Sequence, residues 1–422
     1  MPAVSGLLSL GGQIGLANQD EWVSEFQDTI LVRNSRGLNA GTTLFGLMSK
    51  LRNEPAETTE YKWFERDPVT REIFVDNDGG SAYTSATTSI VVDNGASTPG
   101  GVSGLVQIGT ILRTSSTELL RVTGVSANAD DTTLTVARGF GGTTAAAAGL
   151  ADNNTLVIVT LGKDEGAGPV DPVYETPATL VNYIQTFNAA VHLTNAFKAS
   201  KLRTDIEGPL RERRVQALER IARDIELAYF FGRKAANGYV AGSNGRVWYT
   251  GGVVEAVDSI NPNGAVAQKL DGGAGSGIAL ASFNEWLSSF LTLGSDAKLA
   301  FCGPKAYAAI SNFANSASNG FRITGQETVF GMNITTVNTP FGELSLSMHP
   351  LFKEVTPYND WMIIVDLGLI VQKVMEPLFL EPNIQTPGSD SYMEQFRAKY
   401  GLKLKFAEAF GYAFDLQKIN AS

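Results

Sequence analysis

The sequence is poor in the residues from which chemical sites are commonly built. Its 422 residues include one cysteine, Cys302, and two histidines, His192 and His349. A lone thiol cannot close an intramolecular disulfide. Zinc sites made from several Cys and His ligands need more of both residues than this chain has. We therefore expect neither a disulfide framework nor a metal centre of this kind.

Charged residues are also scarce, at 18% of the chain, and their balance gives a net charge of -10. Nucleic-acid binding draws its affinity from clustered Lys and Arg, so this balance excludes a protein that grips nucleic acid with its whole surface. No apolar run approaches the ~18 residues of a membrane span. The best candidate, 361–371, is interrupted by Asp366. The start of the chain has no basic region before its short apolar run, so we expect no secretory signal.

Catalytic motifs are missing as well. The chain has neither the Gly-x-Ser-x-Gly turn of a hydrolase nor a phosphate-binding Walker loop. The glycine run at 272–277 has no Lys after it and is interpreted as a connector. Cys302 ends an apolar strand, which favours a buried structural thiol, although a reactive thiol before a helix is the alternative. We therefore expect no enzyme activity and no cofactor.

What the sequence does contain is a strong helical pattern at 209–233. Pro209 suits the first turn of a helix and Gly232 suits its end. The spacing predicts one long helix with a single apolar face. That face is expected to consist of Val215, Leu218, Ile221, Ala222, Ile225, Ala228 and Tyr229.

Two other regions are distinguished by composition and periodicity. Between about 81 and 165 the chain is rich in Gly, Thr, Val and Ala, and short alternating runs predict an all-β module. One of its strands is expected at 104–108. From 280 to 351, helical and strand patterns alternate, which predicts a compact α/β unit, followed by a strongly apolar strand at 361–365.

A series of short motifs in a fixed order carries a family resemblance. They are Gly-Thr-Ile-Leu at 109–112, Glu-Leu-Leu-Arg-Val-Thr at 118–123, Leu-Thr-Val-Ala-Arg-Gly at 134–139, Gly-Thr-Thr-Ala-Ala at 142–146, Asn-Tyr-Ile-Gln at 182–185 and Asp-Ile-Glu at 224–226. Together with the order of elements, they resemble the major capsid proteins of tailed bacteriophages with the Hong Kong 97 phage-type fold. The closest resemblance is to a subfamily with a small β-domain insertion in the extended-loop region.

The resemblance implies an α+β fold divided into named parts. The expected parts are an N-terminal arm (1–54), an extended loop (55–97 and 163–194), an all-β insertion domain (98–162), a peripheral domain (195–279 and 352–422) with its spine helix at 209–233, and an axial domain (280–351). The implied function is a major capsid protein that assembles into hexamers and pentamers of an icosahedral shell around double-stranded DNA. The alternatives are an encapsulin-type nanocompartment and a phage tail or surface adhesin.

Aromatic residues in the arm and loop are the candidate contacts between subunits. Such segments have little core of their own, and aromatic side chains dominate buried interface energetics. The residues concerned are Trp22, Phe26, Trp63, Phe64 and Phe74. The alternative is that they pack within their own subunit.

The arginines at the start of the long helix are a second candidate contact. Arg211, Arg213 and Arg214 are expected to pair with acids of neighbouring subunits, with weak DNA contact as the alternative. The implied partners are other copies of the chain, a portal and a scaffolding protein separate from this chain, while decoration proteins remain open. Packaged DNA would be touched only weakly and non-specifically, and no membrane is involved. The implied location is the virion, with assembly in the host cytoplasm.

Overall fold

The computed structural model describes most of the chain after residue 43. The described residues are 44–46, 53–66, 71–77, 80–93, 105–127, 131–146, 149–163, 165–166, 168–169, 172, 177–200, 209–237, 247–260, 266–273, 277–315, 322–329 and 332–420. The chain forms two compact units. Unit 1 comprises Met1–Tyr61 with Val181–Ser422, and unit 2 comprises Lys62–Leu180.

The secondary structure is mixed, which confirms the α+β class. The helices are α1 (Asn195–Ala199), α2 (Pro209–Phe231), α3 (Val253–Asp258), α4 (Leu280–Leu291), α5 (Pro304–Asn315) and α6 (Pro350–Glu354). None of the helices in the described ranges is long and apolar enough to cross a membrane.

The strands fall into several sheets. They are β1 (Asn53–Pro55), β2 (Glu60–Glu65), β3 (Glu72–Phe74), β4 (Ser89–Asp93), β5 (Thr110–Thr114), β6 (Leu119–Ala127), β7 (Asp131–Ala137), β8 (Thr155–Leu161), β9 (Ala178–Tyr183), β10 (Gln185–Thr194), β11 (Ala235–Asn237), β12 (Val247–Tyr249), β13 (Lys269–Asp271), β14 (Ile278–Ala279), β15 (Ala297–Cys302), β16 (Arg322–Val329), β17 (Met332–Thr339), β18 (Gly342–Met348), β19 (Met362–Val365), β20 (Ile370–Glu381), β21 (Ser391–Leu404), β22 (Gly411–Phe414) and β23 (Ile419–Asn420).

In unit 1, the long helix α2 packs on a four-stranded sheet with the order β1-β20-β21-β10. Alternate residues of β10, from Phe187 to Leu193, are buried, because successive side chains of a strand point to opposite faces. Strand β21 pairs antiparallel with both β10 and β20, so the late part of the chain completes a sheet whose first strand is β1. This order of elements is the one that the resemblance implies.

The buried face of α2 agrees with the predicted one at Ile221, Ile225 and Tyr229 but differs from it at Val215 and Leu218. Ala217, Ile221, Ile225 and Tyr229 are buried in the core against β10 and β21. Val215 and Leu218 were expected on that face, but they are 48% and 36% exposed. The four buried positions are spaced four residues apart. In sequence, both these positions and the predicted ones fit the period of a helix. Only the position of the sheet determines which face is covered.

The second sheet of unit 1 lies between two cores. Its order is β13-β22-β19-β15-β18-β17-β16. In β15 and β19, residues such as Phe301 and Ile363 belong to the core shared with α2, while Ala300 and Ile364 belong to the core beneath α4 and α5. Burial on both faces explains the continuous apolar sequence of these strands and confirms the strand predicted at 361–365.

Unit 2 contains a small β-barrel. Its six strands have the order β3-β8-β5-β6-β7-β4. A bridge between Val75 and Val92 joins the two outer strands, so the sheet closes on itself. Closure removes the exposed strand edges that otherwise invite unwanted pairing. The interior is filled by apolar side chains that include Ile73, Leu112 and Leu134.

The barrel uses more of the chain than the sequence boundaries placed in an insertion domain. Strands β3 and β4 lie within the range assigned to the extended loop, yet Ile73 and Ile90 are part of the barrel core. The strand predicted at 104–108 is wrong, since the next strand, β5, begins at Thr110. Strands β2 and β9 pair where the chain leaves unit 1 and returns to it.

Candidate assembly surfaces and the residues that support them

Two of the predicted aromatic anchors lie side by side on β2. Phe64 is 71% exposed, and successive residues of a strand face opposite sides. Trp63 is half-buried, and its indole Nε1 donates a hydrogen bond to Glu65 Oε1 at 2.7 Å. Phe64 is thus the more accessible of the two, while Trp63 already has polar and packing contacts within its own chain.

The third anchor, Phe74, belongs to an apolar surface on the outside of the barrel. Phe74 on β3 is 44% exposed, and it lies opposite Thr155 of β8. Further along β8, Val157, Val159 and Leu161 are also exposed. We call Phe74, Val157, Val159 and Leu161 the outer stripe. The barrel core consists of other side chains, so these four are not needed for it, and exposed apolar side chains of this kind are candidates for contact with another molecule.

The predicted arginines do not act as a group. Arg214 makes a two-pronged ion pair with the buried Glu394, through Nε at 2.6 Å and Nη2 at 2.7 Å. Tyr392 donates a further hydrogen bond to Glu394 at 2.9 Å. The bonds from Arg214 hold the pKa of Glu394 below its usual value. Arg214 therefore pairs with an acid of its own subunit.

The other two arginines are more exposed. Arg213 donates to Gln216 Oε1 at 2.8 Å, one turn further along α2, and Arg211 is exposed at the surface. Trp22 and Phe26 lie outside the described residues. Of the eight predicted contact residues, the structure thus places Phe64, Phe74, Arg211 and Arg213 on exposed surface.

A buried carboxylate in the barrel explains several of the sequence motifs. Glu118 is buried and accepts hydrogen bonds from Arg138 Nε at 2.7 Å and Nη2 at 2.8 Å. It also accepts from the backbone amides of Gly139 at 3.1 Å and Ala146 at 2.8 Å. Burial alone would raise the pKa of Glu118, but the bonds from Arg138, Ala146 and Gly139 together lower it.

This arrangement fixes the loop at 139–146. Gly139, Gly141 and Gly142 adopt positive φ angles of 64°, 69° and 82°, which glycine reaches without steric cost. Arg138 also donates to the carbonyl oxygen of Thr84 at 2.8 Å. In the sequence, Glu118 precedes one apolar strand and Arg138 follows the next, but this spacing alone does not indicate that the two side chains pair.

A buried lysine performs a similar task in unit 1. Lys298 Nζ donates to the carbonyl oxygens of Phe290, Leu293 and Ala409 at 2.8, 2.6 and 2.6 Å. It therefore joins the C-terminal end of α4 and the residues that follow it to the segment at Ala409. Burial lowers the pKa of Lys298 to about 8, against the opposing effect of Asp366.

The single cysteine and the two histidines differ in their burial and in their contacts. Cys302 is fully buried beneath α4 and α5, and burial raises the pKa of its thiol, so it is a poor nucleophile. His192 is exposed on β10, whereas His349 is buried against Glu226. Across the described part of the chain, no group of three or more His, Cys, Asp and Glu side chains is placed to hold a metal ion.

Comparison with solved structures finds distant similarity over the full chain. The capsid of a native GTA particle has 8% identity and a TM-score of 0.45, with 98% of this chain and 100% of that chain covered. A structure from Microbacterium phage Oxtober96 has 10% identity and a TM-score of 0.42, with 98% and 100% covered. An encapsulin complex from Synechococcus elongatus has 10% identity and a TM-score of 0.38, with 59% and 79% covered.

Comparison of sequences is more decisive. No curated protein matches the chain. Residues 39–417, however, match the sequence profile of the family described as SU10 major capsid protein. This range contains α2, the barrel and the four-stranded and seven-stranded sheets of unit 1. The chain belongs to the SU10 major capsid protein family, and the resemblance to phage capsid proteins is confirmed.

Proposed function

We propose that this major capsid protein assembles into hexamers and pentamers, which close into an icosahedral shell around double-stranded DNA. The observation that carries the proposal is the family match over 39–417. Closed shells from identical chains require each subunit to present complementary contact surfaces to its neighbours. The exposed apolar side chains of β2 and of the barrel are surfaces of this kind.

The contacts between subunits are proposed to use Phe64, Phe74 and the rest of the outer stripe. Large apolar side chains that are exposed in one subunit gain hydrophobic stabilisation when a neighbour covers them. Trp63, on the opposite face of β2, also remains a proposed anchor, as do Trp22 and Phe26 from the arm. Arg211 and Arg213 are proposed to pair with acids of neighbouring subunits, whereas Arg214 supports its own subunit through Glu394.

The division into functional parts follows the same proposal. Residues 1–54 form the arm, β2 and β9 belong to the extended loop, and α2 is the spine of the peripheral domain. The α/β unit around β15 to β18 is the axial domain. The barrel is the insertion, and it includes β3 and β4, which precede residue 98, together with β5 to β8, which lie within 98–162.

The role of the chain is proposed to be structural, without enzyme activity. Its single thiol is buried, the buried Glu118 is paired with Arg138, and His349 Nε2 is hydrogen-bonded to Glu226. The proposed partners are further copies of the chain, a separate scaffolding protein and a portal. The net charge of -10 favours a shell that touches packaged DNA weakly and does not bind it tightly.

Electron microscopy of the untagged protein, expressed alone and with a candidate scaffolding protein, tests this proposal. We expect closed icosahedral particles, and particles from infected cells should contain DNA that resists nuclease. Closed particles that enclose protein and never DNA would favour a nanocompartment, and fibres would favour an adhesin. Monomers under every condition would overturn the proposal.

A further inference from the structure

Glu226 is a fully buried carboxylate in the C-terminal part of α2, and it binds the earliest described residues of the chain. The amide of Leu44 donates to Glu226 Oε1 at 2.6 Å, and the amide of Phe45 donates to Oε2 at 2.7 Å. The two backbone groups lie 182 and 181 residues before Glu226 in sequence. Each carboxylate oxygen therefore holds one backbone amide of the same short segment.

His349 completes the environment of this carboxylate. Its Nε2 lies 2.9 Å from Glu226 Oε1, and both side chains are fully buried. With a proton on Nε2, the imidazole supplies a third donor to the carboxylate. Its Nδ1 has no hydrogen-bond partner among the described residues. The ring is enclosed by Phe230, Phe301 and Phe352, which fix its orientation.

Apolar packing holds the same segment in register. Leu44 is fully buried in the core around α2. The ring of Phe45 packs against Tyr229 and Tyr400, with centroid distances of 6.2 and 5.5 Å. A buried carboxylate without hydrogen-bond partners would be strongly unfavourable. The hydrogen bonds to Glu226 and the packing of Leu44 and Phe45 therefore favour the same position of this segment.

We propose that Glu226 is the anchor that fixes residues 44 and 45 to α2 and so fixes the position at which the chain before residue 44 joins unit 1. Two backbone donors need two acceptor oxygens, which a carboxylate has. An amide at this position has one acceptor oxygen, and its NH2 group would face a donor. In the proposed shell, Glu226 thereby controls contacts that the N-terminal segment makes with neighbours, and this second part rests on the proposed function.

Hydrogen exchange on the full-length chain tests the anchor directly. We expect Glu226→Gln to accelerate exchange of the Leu44 and Phe45 amides at least tenfold. Amides of β19, which do not contact Glu226, should keep their wild-type rates. Asp224→Asn is the matched control, because it removes the same charge from an exposed position on the same helix. A folded Glu226→Gln protein with unchanged exchange at 44 and 45 would overturn the proposal.

A second variant covers the case in which Glu226→Gln does not fold. Glu226→Asp keeps the charge but withdraws the carboxylate by one methylene, so the same two amides should again exchange faster, and wild-type rates would refute the anchor. Shell formation by Glu226→Gln tests the second part, and we expect it to fall at least fivefold below Asp224→Asn. Equal yields would overturn that part. If wild type itself forms no shells, the proposed function fails, while the exchange rates still decide the anchor.

Discussion

At the scale of single residues, buried charges in this protein tie distant segments together. Glu118, Lys298 and Glu394 are all buried, and each binds at least one group from another segment of the chain. Burying a charge is costly unless its hydrogen-bonding capacity is used. Only 18% of the residues are charged, and these three charged side chains stabilise the fold and do not lie on the surface.

Lys298 predicts a measurable dependence of stability on pH. Its folded pKa of about 8 lies below the ordinary value of 10.5, so between these values the unfolded chain binds more protons than the folded chain. Unfolding free energy should therefore rise with pH in that window by up to about 1.4 kcal/mol per pH unit. Lys298→Met lacks this titration, so we expect wild type to gain stability relative to the variant from pH 8 to pH 10.5.

Denaturant unfolding of both proteins across this range provides the measurement. Lys353→Met, at an exposed position of α6, serves as the matched control. Its unfolding free energy should differ from that of wild type by the same amount at every pH in this range. If the unfolding free energies of wild type and Lys298→Met also differ by the same amount at every pH, the lowered pKa of Lys298 is contradicted.

At the scale of elements, the loop at 139–146 owes its order to a residue outside the loop. Glu118 precedes β6, whereas the loop follows β7, and the carboxylate joins the two through Arg138, Gly139 and Ala146. Thr143 adds a bond by accepting from the Leu119 amide at 3.1 Å. The motifs at 118–123, 134–139 and 142–146 therefore describe one structural unit.

Removing the charge of Glu118 should loosen this unit. Glu118→Gln leaves the buried guanidinium of Arg138 without its counter-charge, and breaking such a buried pair costs about 3 kcal/mol or more. We expect a lower unfolding midpoint and faster hydrogen exchange at the amides of Gly139 and Ala146. Glu72→Gln, on the exposed surface of the same barrel, is the control. Equal stability of the two variants would show that Glu118 does not hold the loop.

At the scale of the whole molecule, scarcity of charge and exposure of apolar side chains have a common explanation. A shell subunit loses much of its surface to neighbours, so surface that would be charged in a monomer can remain apolar. Phe64 and the outer stripe are exposed apolar side chains that we propose neighbours cover in the shell.

Phe64 should therefore matter to assembly and not to folding. Because its side chain is 71% exposed, we expect Phe64→Ser to change the unfolding free energy by no more than about 0.5 kcal/mol. The yield of closed particles in electron microscopy should fall at least fivefold. Phe64→Tyr keeps the aromatic ring and should assemble as wild type does. Normal particle yield from Phe64→Ser would remove Phe64 from the set of anchors.

Sequence patterns predicted which segments form helices and strands better than they predicted what those elements pack against. The long helix, the apolar strand at 361–365 and the α/β alternation follow from periodicity, because side-chain spacing reflects local backbone geometry. The same reasoning placed Val215 and Leu218 on the buried face of α2 and missed the closure of the barrel by Val75 and Val92. Both depend on where other elements lie, which spacing within one segment does not contain.

By itself, the sequence determined the class of the protein, the type of most elements and the family, because composition, periodicity and motif order are local or sequential properties. Tertiary structure alone decided which charged residues are buried and which partners they have. Glu226 and His349 lie 123 residues apart, and Arg214 and Glu394 lie 180 apart. Such pairs form only when folding brings distant segments together, and desolvation then makes each partner necessary to the other.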